Sequence, residues 1–433
     1  MTMGAGGTGG FSTENDAGTN ITDAPANQPA TGSDGAAEGG TPIDVPPDHA
    51  AAAADFFQLS MVHRVEITID PAQWQGFMQE HANTLAVPQW RQADFKIDGV
   101  PLTKVGFKTF GFGSRLSAPN KPNLNLDLKK YVAGQNFNGV SRMRIKNNGQ
   151  DPSGLREAIS YEAMRTAGLG AARSTWAELS VNGEPYGFYS VEEAFTSSFV
   201  FERTGNENGT AYEADDCQGF VAPTIGGCAK ILDFYQRAFN PLVGAGEDLV
   251  ALCTAMNGPA DQFVSSVSPL IDLDQWITAV AAATALAGDY DGFSTNGNNF
   301  RMYHDTATNK MLLFIFGPDV TYDVDYLPFP DPLDPKPGAD CAMRNPMYHD
   351  IFLEKLRGTP EGLARYTAAV KKLRMGPMSP TMVKQRVDAL WTTVGAWVKA
   401  DPRRAMTPDP EVSKDQIKDY IDMRVTALEG AGL

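Results

Sequence analysis

The sequence predicts an α+β protein with a β-rich first half and a mainly helical second half. Between about residues 57 and 195, short segments of alternating apolar and polar residues are separated by Asp-Gly and Asn-Gly turns, which is typical of antiparallel strands. From about residue 230, apolar residues recur at helical spacing. We expect one strand pair in that second half.

Composition divides the chain of 433 residues into three parts. Residues 1–55 contain no Lys or Arg and carry eight acidic residues, which is half of the formal net charge of −16. Such a segment cannot bury enough apolar surface to fold, so we predict a flexible tether over 1–55. A β-rich lobe over 56–195 and a helical lobe over 196–433 are predicted to follow.

Charge and hydropathy also bear on partners and location. No basic patch stands out to neutralise nucleic-acid phosphates, and no apolar run reaches membrane-spanning length. We therefore predict neither a nucleic-acid partner nor a membrane-spanning segment. The start of the chain lacks the basic and apolar regions of a signal peptide. Its composition is typical of a spacer behind an export signal or lipid anchor, so we expect an extracellular or cell-surface protein.

Elements of the first half are predicted from alternation and from turn residues. Residues 57–70 alternate between apolar and polar types and form the first predicted strand. A helix from Asp70 to about Glu80 follows, since Asp caps a helix and Pro71 fits its first turn. The other predicted elements are strands at 92–97, 102–109, 123–128, 177–181 and 186–191 and a helix at 153–167.

Helical periodicity and capping residues predict most of the second half. The predicted helices span residues 246–256, 259–267, 272–287, 348–357, 360–373, 380–399 and 413–430. In the middle of this half, strands at 300–304 and 310–316 are joined by a turn-rich segment at 305–309 and form the expected hairpin.

Two polar clusters flank this hairpin, at residues 288–299 and 316–323. A hairpin brings its two ends together, so we expect the clusters to converge. A carboxylate (Asp291), an amide, a hairpin and a second carboxylate (Asp319) follow one another in the order found in protein kinases. There the first Asp orients or deprotonates the acceptor hydroxyl, and the amide and second Asp hold Mg²⁺. A structural Ca²⁺ site or an Asx-rich capping loop is the alternative explanation.

The first half offers the other groups that a phosphotransfer site needs. A Gly-rich bend at Gly111, Gly113 and Ser114 would lay backbone amides over phosphates. Lys121 comes next, in the order expected of the phosphate lysine, and Glu157 on the following helix would pair with it. Taken singly, each residue is explained as well by a plain turn or a solvated surface position. The ordered set favours the site.

Cysteines and histidines point to a disulfide and away from metal hydrolysis. Cys217 and Cys228 flank a Gly-rich loop and form the predicted disulfide, with Cys253 and Cys341 as the remaining pair. Four reduced thiols are the alternative. The five histidines form no close cluster in the sequence, which gives little support to a metal hydrolase or a Ser-His-Asp site.

Several segments resemble the CotH family, the spore-coat kinase-like proteins of bacteria with relatives on some fungal surfaces. The matching segments are VGFKTFGFGS (105–114), NKPNLNLDLKKYVAGQNFNGV (120–140), NNGQDPSGLREAISYEAMRTAGL (147–169), VNGEPYGFYSVEEAF (181–195), DYDGFSTNGNNFRMYHD (289–305) and FIFGPDVTY (314–322). The resemblance implies an atypical two-lobe kinase fold, binding of ATP with Mg²⁺ or Mn²⁺, and phosphorylation of Ser or Thr on a secreted, surface or coat protein.

The resemblance also implies roles for individual residues. By this comparison, the site comprises Lys121 on the nucleotide phosphates, Glu157 as its partner, Glu193 near the base or ribose, Asp291 as the catalytic Asp, and Asp319 and Asn299 on the metal. Asn296 stands five residues after Asp291, the usual kinase spacing, and competes with Asn298 and Asn299 for the metal role. Asp323 is a further metal candidate.

At two positions the chain departs from the family. Asp289 stands where members often have a histidine or another non-acidic residue, and Thr321 stands where many have a second Asp. We predict an ATP-dependent Ser/Thr protein kinase. The alternative is a catalytically silent kinase-like domain that serves surface adhesion or coat assembly.

Overall fold

The structure is a computed structural model that describes residues 47–214, 219–220, 227–239, 246–324, 331–334, 349–404 and 408–433. Strands dominate the first part of this chain and helices the last part, which confirms the predicted α+β class. All described residues belong to the unit Gly32–Leu433.

Seven strands of the first part close into a barrel. They are β1 (Val62–Thr68), β2 (Arg91–Ile97), β3 (Val100–Lys108), β4 (Leu124–Asp127), β5 (Arg142–Lys146), β6 (Ser174–Val181) and β7 (Glu184–Glu193). Their order is β1-β2-β3-β4-β5-β7-β6, and a parallel pairing of β1 with β6 closes the barrel. The sequence pattern predicted antiparallel strands without this closure, because the closing pair joins residues 62–67 to 176–181.

Two hairpins of the barrel have the tight turns that their sequences predict. Asp98 and Gly99 have φ values of 49° and 84°, and Asn182 and Gly183 have φ values of 51° and 83°. Two consecutive residues with positive φ form the type I′ turn, whose twist matches that of paired strands. These turns therefore set the register of β2 with β3 and of β6 with β7.

Helices precede, separate and follow the barrel strands in the sequence. They are α1 (Pro47–Phe56), α2 (Pro71–Ala82), α3 (Gly113–Ser117), α4 (Arg156–Thr166) and α5 (Ser197–Thr204). Helix α1 corrects the predicted tether over residues 47–55: its Ala-rich sequence favours a helix, and Ala53 and Phe56 are buried in the barrel core. Residues 1–46 of that prediction lie outside the described part.

A second, four-stranded sheet lies in the other part of the chain. It consists of β8 (Thr210–Ala214), β9 (Tyr235–Phe239), β10 (Phe300–Asp305) and β11 (Lys310–Ile315), in the order β11-β10-β8-β9. The predicted hairpin is confirmed as β10 and β11, with Phe300 opposite Ile315. Strands β8 and β9, like β5 of the barrel, were not predicted from the sequence.

The predicted helices of the second half are present with small boundary shifts. They are α6 (Glu247–Met256), α7 (Phe263–Val267), α8 (Leu273–Val280), α10 (Ile351–Arg357), α11 (Pro360–Met375), α12 (Pro380–Ala400) and α13 (Pro410–Gly430). The short helix α9 (Phe293–Asn296) was not predicted. Helix α13 begins earlier than predicted, because Asp409 caps it and Pro410 occupies its first turn. The predicted helix at 272–287 becomes α8 followed by a π-helix, Ala281–Ala287.

Two hydrophobic cores hold these elements together. One fills the barrel and includes Phe95, Phe107 and Leu126. The other packs α4 against the second sheet and the C-terminal helices, and Tyr161 and Trp276 belong to it. Helix α4, which follows a barrel strand in sequence, thus contributes its apolar face to the second core.

The disulfide of the described chain joins Cys228 to Cys253. The predicted pairing of Cys228 with Cys217 is therefore wrong, because the fold places the 3₁₀-helix Gly227–Asp233 against α6. Cys217 and Cys341 lie outside the described residues.

Candidate functional site

A buried lysine at the end of β5, Lys146, lies between two acidic side chains. Its Nζ contacts Glu157 Oε1 at 3.0 Å and Asp319 Oδ2 at 3.0 Å. Glu157 occupies the first turn of α4, where the helix dipole favours a negative charge, and Asp319 follows β11. One ammonium group thus connects the barrel, α4 and the end of the second sheet.

A third acidic side chain, Glu192 on β7, shares this environment. Strand pairing places Arg144 opposite Glu192 and Lys146 opposite Ser190. Since side chains two residues apart lie on one face of a strand, Glu192 and Lys146 share a face of the barrel. Tyr161 of α4 donates a hydrogen bond to Glu192 and accepts one from the Gly317 amide at 2.7 Å.

The group around Lys146 contains three carboxyl side chains and one ammonium. Burial opposes the charged form of Lys146, but Asp319, Glu157 and Glu192 outweigh it, so the pKa of Lys146 lies above its ordinary value. Burial raises the pKa of Glu157 to about 8, with Glu192 and Asp319 acting in the same direction against Lys146. Three carboxylates around one ammonium favour the binding of a proton or a cation.

Asp291 is held by three asparagine side chains in the loop before β10. Its Oδ1 accepts from Asn296 Nδ2 at 2.8 Å, and its Oδ2 accepts from Asn298 and Asn299 Nδ2 at 3.1 and 3.0 Å. The Phe316 amide donates to Asn299 O at 2.8 Å, which extends the hairpin toward this loop. The carboxylate of Asp291 is therefore oriented by neutral donors that stabilise its ionised form.

Asp289 is a buried member of the first polar cluster, residues 288–299. Its side chain is 1% exposed. Burial raises its pKa well above the ordinary value, and the charges of Asp291 and Asp319 raise it further. Charges from both clusters therefore act on the Asp289 carboxylate, which is expected because the hairpin brings its two ends together.

Lys121 is not part of this group. Its Nζ bonds Phe188 O at 2.5 Å and Asp401 Oδ2 at 2.6 Å, and it lies 4.5 Å from the centre of the Tyr189 ring. The predicted pairing of Lys121 with Glu157 is wrong. Lys121 forms its ion pair with Asp401 from the end of α12. Glu157 forms its ion pair with Lys146 instead.

Glu193, the neighbour of Glu192, is likewise not brought to the group. Its carboxylate contacts Arg173 NH2 at 2.5 Å and Arg203 NH2 at 2.6 Å. Burial alone would raise the pKa of Glu193, but the two arginines lower it. Adjacent residues of a strand point to opposite faces, so Glu193 lies on the other face of β7 from Glu192.

The Gly-rich bend packs against the turn that follows Lys146. Gly111 has a φ of 82°, and α3 begins at Gly113. Ser114 Oγ accepts from Asn123 Nδ2 at 2.8 Å, and Ser114 O accepts from Asn147 Nδ2 at 3.0 Å. The bend thus lies next to the strand end that carries Lys146, while the Ser114 hydroxyl is already engaged.

Among the predicted metal ligands, Asp323 forms a buried ion pair with Arg156 and Asp319 remains partly exposed. In the ranges described above, no cluster of three or more His, Cys, Asp or Glu side chains is suited to hold a metal alone. This gives no support to the structural Ca²⁺ site, which needs six to eight oxygen ligands. Mg²⁺ uses one or two carboxylates and completes its shell with phosphates and water, and the oxygens of Asp319 and buried Asp289 fit that requirement.

Lys146, Glu192 and Asp289 escaped the sequence analysis as site residues. The segment Arg142 to Lys146 alternates charged and apolar residues and ends before an Asn-Asn-Gly turn, so a strand ending in lysine was detectable there. Its position directly before the Glu157 helix is a further signal. Glu192 was hidden because it stands beside Glu193, and only the strand register distinguishes their faces.

Comparisons with known proteins identify the family of the chain. Residues 108–428 match the sequence model of the family described as CotH kinase protein. No curated protein sequence matches the chain. Among solved structures, the crystal structure of the Helicobacter pylori proinflammatory kinase CtkA is similar, with a TM-score of 0.34 and 11% sequence identity, over 74% of this chain and 90% of that chain.

Within the described ranges, no helix combines the length and apolar character needed to cross a bilayer.

Proposed function

The chain belongs to the CotH kinase protein family, and from this membership we propose that it is an ATP-dependent protein kinase of atypical two-lobe fold that modifies Ser or Thr. The observation that carries the proposal is the contact of Lys146 with Glu157 and Asp319. In protein kinases, a strand lysine pairs with a glutamate of the next helix, and a metal-binding Asp follows a hairpin. Lys146 on β5, Glu157 on α4 and Asp319 after β11 have this relation.

ATP with Mg²⁺ or Mn²⁺ would supply the phosphoryl group and the charge that balances it. Lys146 would neutralise phosphate oxygens, and Glu157 would hold the ammonium in place. Asp319 would hold the cation. Asp291, fixed by its three asparagines, would orient the acceptor hydroxyl and take its proton as the oxygen–phosphorus bond forms and the bond to ADP breaks.

The acceptor is proposed to be a secreted, surface or coat protein. The disulfide between Cys228 and Cys253 supports an oxidising compartment, because such bonds persist outside the cytosol. The acidic N-terminal segment fits a tether to the cell surface, and the proposal extends to its attachment through a lipid.

Nucleotide binding tests the proposal. ATP with Mn²⁺ at a hundredfold excess over its Kd should stabilise the protein by about 2.7 kcal/mol, visible as a higher Tm in differential scanning fluorimetry. Asp319→Ala should abolish this increase. Asp388→Ala, an exposed position on α12, is the control and should keep it.

Transfer to a hydroxyl is measured separately with radiolabelled ATP and a Ser- and Thr-rich acceptor. Asp291→Ala should lose transfer and keep the nucleotide-dependent increase in Tm. A wild-type protein without any Tm increase at millimolar nucleotide contradicts the kinase proposal and favours the silent surface module.

A further inference from the structure

Asp289 is a buried carboxylate that no side chain of the described residues neutralises. Neither oxygen has a well-formed hydrogen bond in the described chain, and the backbone of Asp291 is the one group of the loop that favours its ionised form. Its backbone is fixed, since its amide donates to Ala283 O at 2.9 Å and its carbonyl accepts from Thr295 Oγ1 at 3.0 Å. An ionised carboxylate left in this state costs several kcal/mol, so the position calls for a cation or a proton.

The loop that carries Asp289 runs beside the segment that carries Asp319. The Tyr290 amide donates to Val320 O at 3.1 Å, and the Tyr322 amide donates to Ala287 O at 2.8 Å. The charges of Asp291, Asp319 and Lys146 all act on the Asp289 carboxylate. The backbone contacts therefore place Asp289 near the segment that follows β11 and carries Asp319.

A glycine keeps this carboxylate in place. A side chain at Gly292 would collide with Asp289 Oδ2. A larger residue at position 292 would thus displace the Asp289 carboxylate. The loop therefore requires a glycine at position 292 for the Asp289 carboxylate to keep its place.

Other oxygens near Asp319 are already engaged. Thr321 is fully buried, donates to Pro318 O at 2.8 Å and bonds Ser160 Oγ at 3.0 Å. Asp323 is paired with Arg156. Of the acidic side chains on both segments, Asp289 is the one that has neither an ion pair nor a well-formed hydrogen bond in the described chain.

We propose that Asp289 is the second carboxylate ligand, with Asp319, of one divalent cation of the Mg²⁺ or Mn²⁺ class. Two carboxylates and the oxygens of a phosphate ligand are the usual protein contribution to such a cation. The inference rests on the proposed function for the phosphate partner. In this inference Asp289, from the loop before the hairpin, provides the second carboxylate ligand of the cation, because Thr321 after the hairpin has no carboxylate.

Mn²⁺ binding, followed by electron paramagnetic resonance with and without a non-hydrolysable ATP analogue, tests this inference. Asp289→Asn should weaken Mn²⁺ binding at least about tenfold, as should Asp319→Asn. Asp350→Asn is the matched control, because Asp350 is also buried with an unpartnered oxygen, and it should leave Mn²⁺ binding unchanged. Asp289→Asn removes a buried charge, so its Tm without metal should equal or exceed that of the wild type.

The outcomes separate this inference from the proposed function. Wild-type Mn²⁺ affinity in Asp289→Asn, with binding lost in Asp319→Asn, overturns the role of Asp289 and leaves the kinase proposal standing. Loss of Mn²⁺ binding in Asp289→Asn supports the inference even when the wild type binds no nucleotide, a result that would contradict the kinase proposal. A wild-type protein that binds no Mn²⁺ under either condition overturns the inference as well.

Discussion

Two buried lysines in this protein have opposite surroundings. Lys121 has one carboxylate, Asp401, and burial lowers its pKa overall despite that partner. Lys146 has three acidic neighbours and a raised pKa. Lys121 and Asp401 form a neutral ion pair that links the barrel to the end of α12. The group around Lys146 has more negative than positive charges, which favours the binding of a cation. Order along the chain favoured Lys121, but charge balance favours Lys146 as the phosphate lysine.

Matched substitutions of the two lysines distinguish these roles. Lys146→Met should abolish both phosphate transfer and the increase in Tm caused by ATP with Mn²⁺. Lys121→Met should lower the free energy of unfolding by about 3–5 kcal/mol, because it leaves the buried Asp401 carboxylate without its ammonium partner, and should keep the nucleotide-dependent increase. Scanning fluorimetry with and without nucleotide measures both effects. The reverse pattern would restore Lys121 to the site.

A π-helix sets the position of the acidic loop. Residues Ala281–Ala287 continue α8 with wider hydrogen bonding, and the segment ends at Gly288 in the left-handed conformation. Arg424 of α13 donates to Thr284 O at 2.9 Å and to Ala285 O at 2.6 Å. Because wide turns leave carbonyls without partners in the helix, this arginine satisfies them and ties the C-terminal helix to the loop of Asp289.

Helix α10 is capped by a carboxylate that is both buried and incompletely bonded. Asp350 Oδ1 accepts from the Leu353 amide at 3.0 Å, while its Oδ2 has no partner in the described chain. Burial raises the pKa of Asp350 to about 6 from 3.8, although Ser294, the Leu353 and Phe352 amides and the charge of His349 favour the ionised form. The cap therefore binds a proton more tightly in the folded protein than in the unfolded chain.

This shift predicts how stability depends on pH. Between pH 4 and about 6 the unfolded chain loses the proton before the folded protein does, so the stability contributed by this proton falls as pH rises. Asn keeps the cap without the charge, and Asp350→Asn should be more stable than wild type by about 3 kcal/mol above pH 6, with the difference vanishing near pH 4. Urea unfolding at pH 4 and 7 measures this. The same change at the exposed cap Asp272 is the control, and an equal effect at both sites would contradict the explanation.

The whole molecule consists of two hydrophobic cores joined by buried ion pairs. Lys121 with Asp401 and Arg156 with Asp323 both connect parts of the chain that are far apart in sequence. Lys146 with Asp319 is a third such link, and it lies in the candidate site. Cation binding at Asp319 would therefore act directly on a contact between the barrel and the second sheet.

The disulfide is a further whole-molecule constraint. Cys228 and Cys253 are 25 residues apart, and opening the bond should lower the free energy of unfolding by about 2–4 kcal/mol, since the unfolded chain gains freedom. Cys253→Ser measures this by urea unfolding, and the double variant Cys228→Ser/Cys253→Ser should cost no more than the single one. Non-reducing peptide mapping should recover the linked peptides. A Cys217–Cys228 peptide would contradict the fold described here.

Local sequence was sufficient for most of the longer elements and for part of the candidate site. Turn residues such as Asn182-Gly183 and caps such as Asp409-Pro410 act within a few residues, so strand and helix identities could be predicted. The hairpin from Phe300 to Ile315 is local as well, and its motif located Asp291 and Asp319 together. The CotH resemblance, carried by those same segments, is confirmed by the family match.

Tertiary structure alone decided which side chains meet. Barrel closure pairs residues 62–67 with 176–181, and strand register puts Glu192 rather than Glu193 beside Lys146. Asp401 reaches Lys121 from 280 positions away in the chain. Such pairings depend on long-range packing and on the burial of charge, which no local pattern encodes. The sequence by itself therefore determined the fold class, the family and the two polar clusters, and the folded chain determined the lysine, Lys146, that contacts Asp319 and Glu157.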